Sequence, residues 1–177
     1  VQASSLLPGA REVAHHGVPA AKYQALFDRV TGCGYRVEWI DGFAKGGDVF
    51  YNVLFRPNKA GHGWASFHGM SGAQYQQRFD DYVGERKFRL THVDSFAVSG
   101  QVRYAAVFEE SGSGPAFVAY HGLTTQQHQQ RFDDLTKDGF VPQVLSVAST
   151  GGQRRFTGLY ENGKELPATP NQRRDRA

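Results

Sequence analysis

Histidine stands in front of glycine at three evenly spaced points of the chain, His16-Gly17, His68-Gly69 and His121-Gly122. Imidazole suits zinc or copper, and three copies converging on one point would make a metal site. The alternative is that each histidine hydrogen-bonds backbone groups at a strand-to-helix corner, while its glycine supplies a backbone angle that other residues avoid. Equivalent residues of a repeat normally lie along a stack, too far apart to share one ion. The corner reading is therefore preferred, and no metal or other cofactor is expected.

The remaining chemistry-bearing residues do not assemble into a catalytic pattern. Asp80-Asp81 and Asp133-Asp134 offer paired carboxylates for acid–base work or calcium, but neighbours on a helix point about 100° apart and do not face each other. Glu109-Glu110 follows a strand and reads as surface, and Ser111-Gly112-Ser113-Gly114 lacks the glycine that a nucleophile turn needs at its first position. Gly46-Gly47 and Gly151-Gly152 lack the residue order of a phosphate loop. Cys33, the single cysteine, has no sequence-defined base partner and reads as a structural thiol. No catalytic residue is expected. Trp39 and Trp64 differ from the others: they occupy repeated strand positions held elsewhere by His92 and Val144, or by Phe117. Either they pack a larger core or they show an aromatic platform to a protein or polysaccharide ligand.

Those residues sit in 177 residues that are 40% hydrophobic and 21% charged, the composition of an ordinary folded domain. The net charge is +3, and Arg173, Arg174 and Arg176 near the end outweigh Asp175, so the body is nearly neutral and nucleic acid is not an expected partner. The longest apolar runs, such as Pro115 to Tyr120, are far too short for a membrane span. Val1 to Ser5 reads equally as a mature end left by signal cleavage or as a cut made in a longer chain.

The elements follow from self-similarity. Gln76-Gln77-Arg78-Phe79-Asp80-Asp81 recurs unchanged as Gln129-Gln130-Arg131-Phe132-Asp133-Asp134, at the same 53-residue offset as the second and third His-Gly pairs. A diverged first copy carries Tyr23, Phe27 and Asp28 in the places of Tyr75, Phe79 and Asp80. After each His-Gly a helix is expected, with capping-box spacing at Ser71/Gln74 and Thr124/Gln127 and with Pro19 in the matching place of the first copy. Tyr23, Phe27 and Val30, then Tyr75, Phe79 and Tyr82, then His128, Phe132 and Leu135 form its apolar stripe. A strand follows, in which Tyr35, Val37 and Trp39 alternate with Arg36 and Glu38. Glycine- or serine-rich turns lead to a second strand and then a third, Trp64 to Phe67 and Phe117 to Tyr120, which runs into the next His-Gly.

On this reading Glu12 to His15 is a spare strand at the start, and the last unit lacks one. The spare strand would close the last unit, or pair with another molecule head to tail, or be covered by a further domain.

The pattern of His-Gly-apolar, helical Gln-x-x-Phe-Asp and paired aromatic strands resembles the polyglycine hydrolase-like repeat, also described as a bacterial tandem repeat domain, over roughly residues 12 to 162. The resemblance implies a non-catalytic region of a secreted protein, of the kind found beside a β-lactamase-like serine hydrolase. No Ser-x-x-Lys, the nucleophile and activating lysine of that chemistry, occurs in this sequence.

The expectation is an α+β domain of three tandem helix-plus-three-strand repeats of about 52 residues, forming one curved antiparallel sheet with the helices on one face. An N-terminal extension covers 1–11, the repeats cover 12–162 (units near 16–67, 68–120 and 121–162), and a polar basic tail covers 163–177. The expected function is a secreted, non-catalytic binding or scaffolding module. Its alternatives are a structural protein assembling head to tail by exchange of terminal strands, and an accessory fragment of a serine hydrolase.

Overall fold

The computed structural model describes residues 11–110 and 114–164. Ser111 to Ser113, almost all of the N-terminal extension and the basic tail from residue 165 lie outside them. The first unit is β1 (Val13–Pro19), α1 (Ala20–Thr31), β2 (Tyr35–Lys45) and β3 (Asp48–Pro57). The second is β4 (Trp64–Met70), α2 (Gly72–Phe79, continuing as a π-helical segment over Asp80–Glu85), β5 (Phe88–Val98) and β6 (Gln101–Glu110). The third is β7 (Phe117–Leu123), α3 (Thr125–Lys137), β8 (Phe140–Thr150) and β9 (Gln153–Asn162).

Three copies of a helix with three antiparallel strands are present, but the strands group differently from the sequence reading. β1 pairs with β3, β4 with β6 and β7 with β9, giving three separate sheets of order β1-β3-β2, β4-β6-β5 and β7-β9-β8 rather than one continuous sheet. Each strand ahead of a His-Gly thus belongs with the helix and hairpin that follow it. The units begin one strand earlier than boundaries at 16, 68 and 121, so the first unit has no spare strand and the third has no vacancy. The reason is local: each middle strand has both edges hydrogen-bonded inside its own unit, which leaves no place for a strand from elsewhere.

Side-chain chemistry sets the local elements. Ser71 and Thr124 cap α2 and α3 through reciprocal bonds with Gln74 and Gln127, while α1 starts after Pro19 without a side-chain cap. The three hairpins turn on Gly46-Gly47, Ser99-Gly100 and Gly151-Gly152, all at positive φ, the mirror-image turn whose twist suits a two-residue hairpin.

Each sheet carries two bulges. One falls at the His-Gly pair, where Gly17, Gly69 and Gly122 adopt φ of 60°, 64° and 67°, so these pairs lie within a strand and not at a corner beyond it. The other inserts an extra residue after Val37, Leu90 and Pro142. It breaks the expected period-two pattern: Val37 and Ile40 are buried on one face and Trp39 is turned to the other.

The hydrophobic cores cross unit boundaries. Tyr23, Leu26 and Val30 of α1 meet Val37, Ile40, Tyr51, Val53 and Phe55, and the cluster is completed by Phe96, Ala105 and Val107 from the second unit. The second unit's core, with Tyr75, Leu90, Val93, Tyr104 and Phe108, is completed in turn by Leu159 of the third. No unit of this size has the area to hold a core alone, and stacking supplies the remainder.

Candidate functional site

β2, β5 and β8 are the edge strands that meet between units, β2 against β5 and β5 against β8. The outer main-chain edge of one hairpin faces side chains of the next unit. At the first junction the His92 ring donates Nε2–H to the Ile40 carbonyl at 2.8 Å, and the Gly42 amide donates to Asp94 Oδ2 at 2.8 Å. At the second, the Ser95 amide donates to Ser146 Oγ at 2.8 Å, which is the same bond one unit on. Ser146 Oγ also donates to Asp94 Oδ1 at 2.8 Å, tying all three units together through one carboxylate. Gly42 is required here, because an added Cβ would sit 2.3 Å from the Phe96 ring of the second unit. On the flank, Arg36 pairs with Glu109 and Arg89 pairs with Glu161 at 2.8 Å.

Burial shapes the acid–base behaviour of these groups. The Asp94 carboxyl is pushed above its ordinary value by burial, against the pull of the Gly42 amide and the Ser146 hydroxyl. His92 is pushed down by burial, against the opposing effects of the Ile40 carbonyl, Asp41 and Glu38. Ser146 thus has a carboxylate partner, but the nearby imidazole is engaged by a carbonyl. The cluster works as a satisfied clamp rather than as an activated nucleophile.

Over this seam lies an open groove of about 520 Å³ whose lining includes Trp39, Asp41, Phe43, His92, Asp94 and Ser146. Trp39 is 40% exposed, with its ring 5.7 Å from that of His92. Its counterparts are covered: His92 is buried beneath the first unit, and Val144 packs against the second unit's core. Trp64 has the other fate. It is half-buried against the first unit's core, 5.6 Å from Phe27, and closes the junction. The two tryptophans grouped by the sequence therefore separate into one exposed platform and one packing residue.

The repeated histidines are not brought together. His68 sits between Tyr23 and Tyr51 of the unit before it, at 4.5 and 4.9 Å between ring centres. His121 repeats this between Tyr75 and Tyr104, at 4.9 and 5.3 Å. Both are pushed down by burial. Their role is aromatic packing between units, in place of the expected backbone bonding at a corner. His16, in the first of the described units, is exposed. Phe27 and Phe79 are half-buried, whereas the identical place in the third unit leaves Phe132 36% exposed.

The third unit carries a further departure. Tyr120 Oη lies 2.7 Å from His128 Nδ1 and 2.9 Å from Tyr160 Oη, where the second unit has the all-carbon Phe67 beside Tyr82 and Phe108. Sequence reasoning named His92 only as a counterpart of Trp39, and it missed Asp94 and Ser146. Carrying the same alignment two residues further places Asp41, Asp94 and Ser146 at one repeated position.

A family model described as polyglycine hydrolase-like, structural repeat matches residues 9–58, 61–111 and 114–163, and the chain belongs to that family. The three matched segments coincide with the three strand-helix-hairpin units of the fold, and they make the chain a structural repeat module. No curated protein matches the chain.

Proposed function

We propose that this repeat domain is a secreted, non-catalytic binding or scaffolding module, and that it engages its partner through the open sheet face of the first unit. The observation that carries this is the exposure of Trp39 in the groove, at a position that is buried in the second unit and partly buried in the third. A flat aromatic ring next to Asp41 and a run of hydroxyl and main-chain groups is the composition of a surface that stacks on a sugar ring or an extended peptide. The satisfied Asp94–Ser146 clamp favours binding over hydrolysis.

The test is titration of the purified chain with xylan- and chitin-derived hexasaccharides and a proline-rich peptide, followed by tryptophan fluorescence and calorimetry. Binding that survives Trp64→Phe and is lost in Trp39→Ala is the expected result. Binding indifferent to Trp39, or turnover of any of these compounds, overturns the reading.

A further inference from the structure

We infer that the cleft between α2 and β7 seats a tryptophan side chain offered by a partner polypeptide, the ring that Trp64 supplies from within at the first junction. This cleft lies between the second and third units and shares no lining residue with the groove that holds Trp39, so it is a separate site.

The two internal junctions are built from equivalent residues and end differently. At the first, the Trp64 ring of β4 meets Phe27 of α1 at 5.6 Å between ring centres. At the second, Phe79, Phe117 and Ala119 hold the places of Phe27, Trp64 and Ser66. Both changes on the strand remove atoms. Phe117 lies under the Arg89 guanidinium at 4.9 Å, and among the described residues the Phe79 ring has no ring neighbour except Tyr75. What remains is a cleft of about 240 Å³ lined by Tyr75, Gln76 and Phe79 of α2 and by Ala119, Tyr120 and His121 of β7.

The walls of the cleft are anchored from behind. Tyr120 Oη lies 2.7 Å from His128 Nδ1 and 2.9 Å from Tyr160 Oη, and its ring lies over Gly158, where an added Cβ would come within 2.7 Å of it. Tyr75 is buried, stacked on Tyr104 at 5.3 Å and edge-on to His121 at 4.9 Å. Side chains held in this way do not collapse into the gap, and an unfilled gap leaves its lining without contact partners on one side.

The lining selects the occupant. Three aromatic rings, an imidazole and a methyl group, with no charged side chain among them, suit a neutral aromatic group. An apolar cavity of about 150 Å³ takes benzene, so this cleft has room for the two fused rings of an indole. Its polar groups fit as well. The Gln76 amide nitrogen donates to Asp80 at 2.8 Å, which leaves the Gln76 oxygen to accept an indole N–H. His121 makes no hydrogen bond among the described residues, and burial holds it below its ordinary value, so at neutral pH its ring offers one further acceptor nitrogen. The first junction supplies the precedent for delivery, because Trp64 reaches the helical phenylalanine from an extended strand. A tryptophan on an extended segment of a partner repeats that arrangement.

The experiment is a titration of the full isotope-labelled chain with N-acetyl-tryptophanamide, followed by amide chemical shifts. Changes confined to α2 and to Ala119, Tyr120 and His121 are expected, with a dissociation constant on the order of a millimolar. N-acetyl-alaninamide should move none of these signals. Phe117→Trp, which supplies the ring from within, is expected to weaken binding on the order of tenfold or more. Phe79→Ala, at a half-exposed place, removes the ring that the indole packs against and should weaken it to a similar degree. A wild-type chain that does not respond, or responds elsewhere, overturns the inference, and so does unchanged affinity in a folded Phe117→Trp variant. Binding of skatole without binding of N-acetyl-tryptophanamide overturns it by giving the cleft to a free small molecule. Trp39→Ala is expected to leave the response unchanged. A response lost in that variant places the probe in the groove of the first unit, which sinks this inference while the binding reading stands.

Discussion

The second and third units carry the same helical hexapeptide and the same strand order, yet they live in different environments. In the second, five consecutive residues of β5, His92 to Phe96, and five of β6, Tyr104 to Phe108, are all buried, because the sheet is covered on both faces. In the third, Ala148 is the one buried residue of β8. The middle unit uses both faces and the outer unit only one. A residue's burial in this fold is decided by whether a neighbouring unit exists on that side, more than by the unit's own sequence.

The contrast can be broken most severely at the shared core. Phe108→Ala is expected to cost about 3–5 kcal/mol, whereas Leu145→Asp, at a half-exposed place, should stay within about 0.5 kcal/mol. Urea denaturation of both variants measures the difference, and similar losses would mean that the third unit is covered after all. Next comes the clamp. Asp94→Ala leaves the Gly42 amide and the Ser146 hydroxyl without their acceptor and should cost about 1–3 kcal/mol, while Asp94→Asn keeps an acceptor and should cost less.

A smaller effect is expected from pH. His68, His92 and His121 all have folded values below the ordinary 6.5, with burial the largest cause in each case. Their unfolded forms therefore bind protons first, and stability is full above about pH 6.5 and falls as the pH drops below it. Asp94, raised in the fold, acts in the opposite direction: below its folded value and down to 3.8 it returns stability as it protonates. Melting temperatures between pH 8 and pH 5 test this, and His121→Phe should flatten the slope by one histidine's share. The smallest effect sharpens the comparison of turns. Lys87 sits at φ 61° where the other units place Gly34 and Gly139, so Lys87→Gly is expected to stabilise by about 0.5 kcal/mol in the same denaturation assay.

Much of a single unit was legible in the chain. Ser71, Gln74, Thr124 and Gln127 announce helix starts by spacing, and paired glycines announce the hairpins, because capping and tight turns depend on residues close in sequence. The assignment of each strand to a unit was not legible. Trp64 to Phe67 lies close in sequence to the end of one hairpin and the start of the next helix alike, and only the β4–β6 ladder assigns it to the latter. The bulge after Val37 was equally hidden. It turns Trp39 away from Val37, and with that one residue the alternation no longer reports which face a side chain takes.

The sequence by itself determined that there are three copies of one helix-and-strand unit, where each helix starts, and that Tyr, Phe and Val stripes would face a core. These are short-range properties, written in spacings of a few residues. Only the tertiary structure decided that Trp64 is packing and Trp39 is surface, that His68 and His121 join units, and that Leu145 is left bare. Those outcomes depend on contacts about fifty residues apart, and two identical local sequences receive different neighbours when one stands inside a stack and the other at its end.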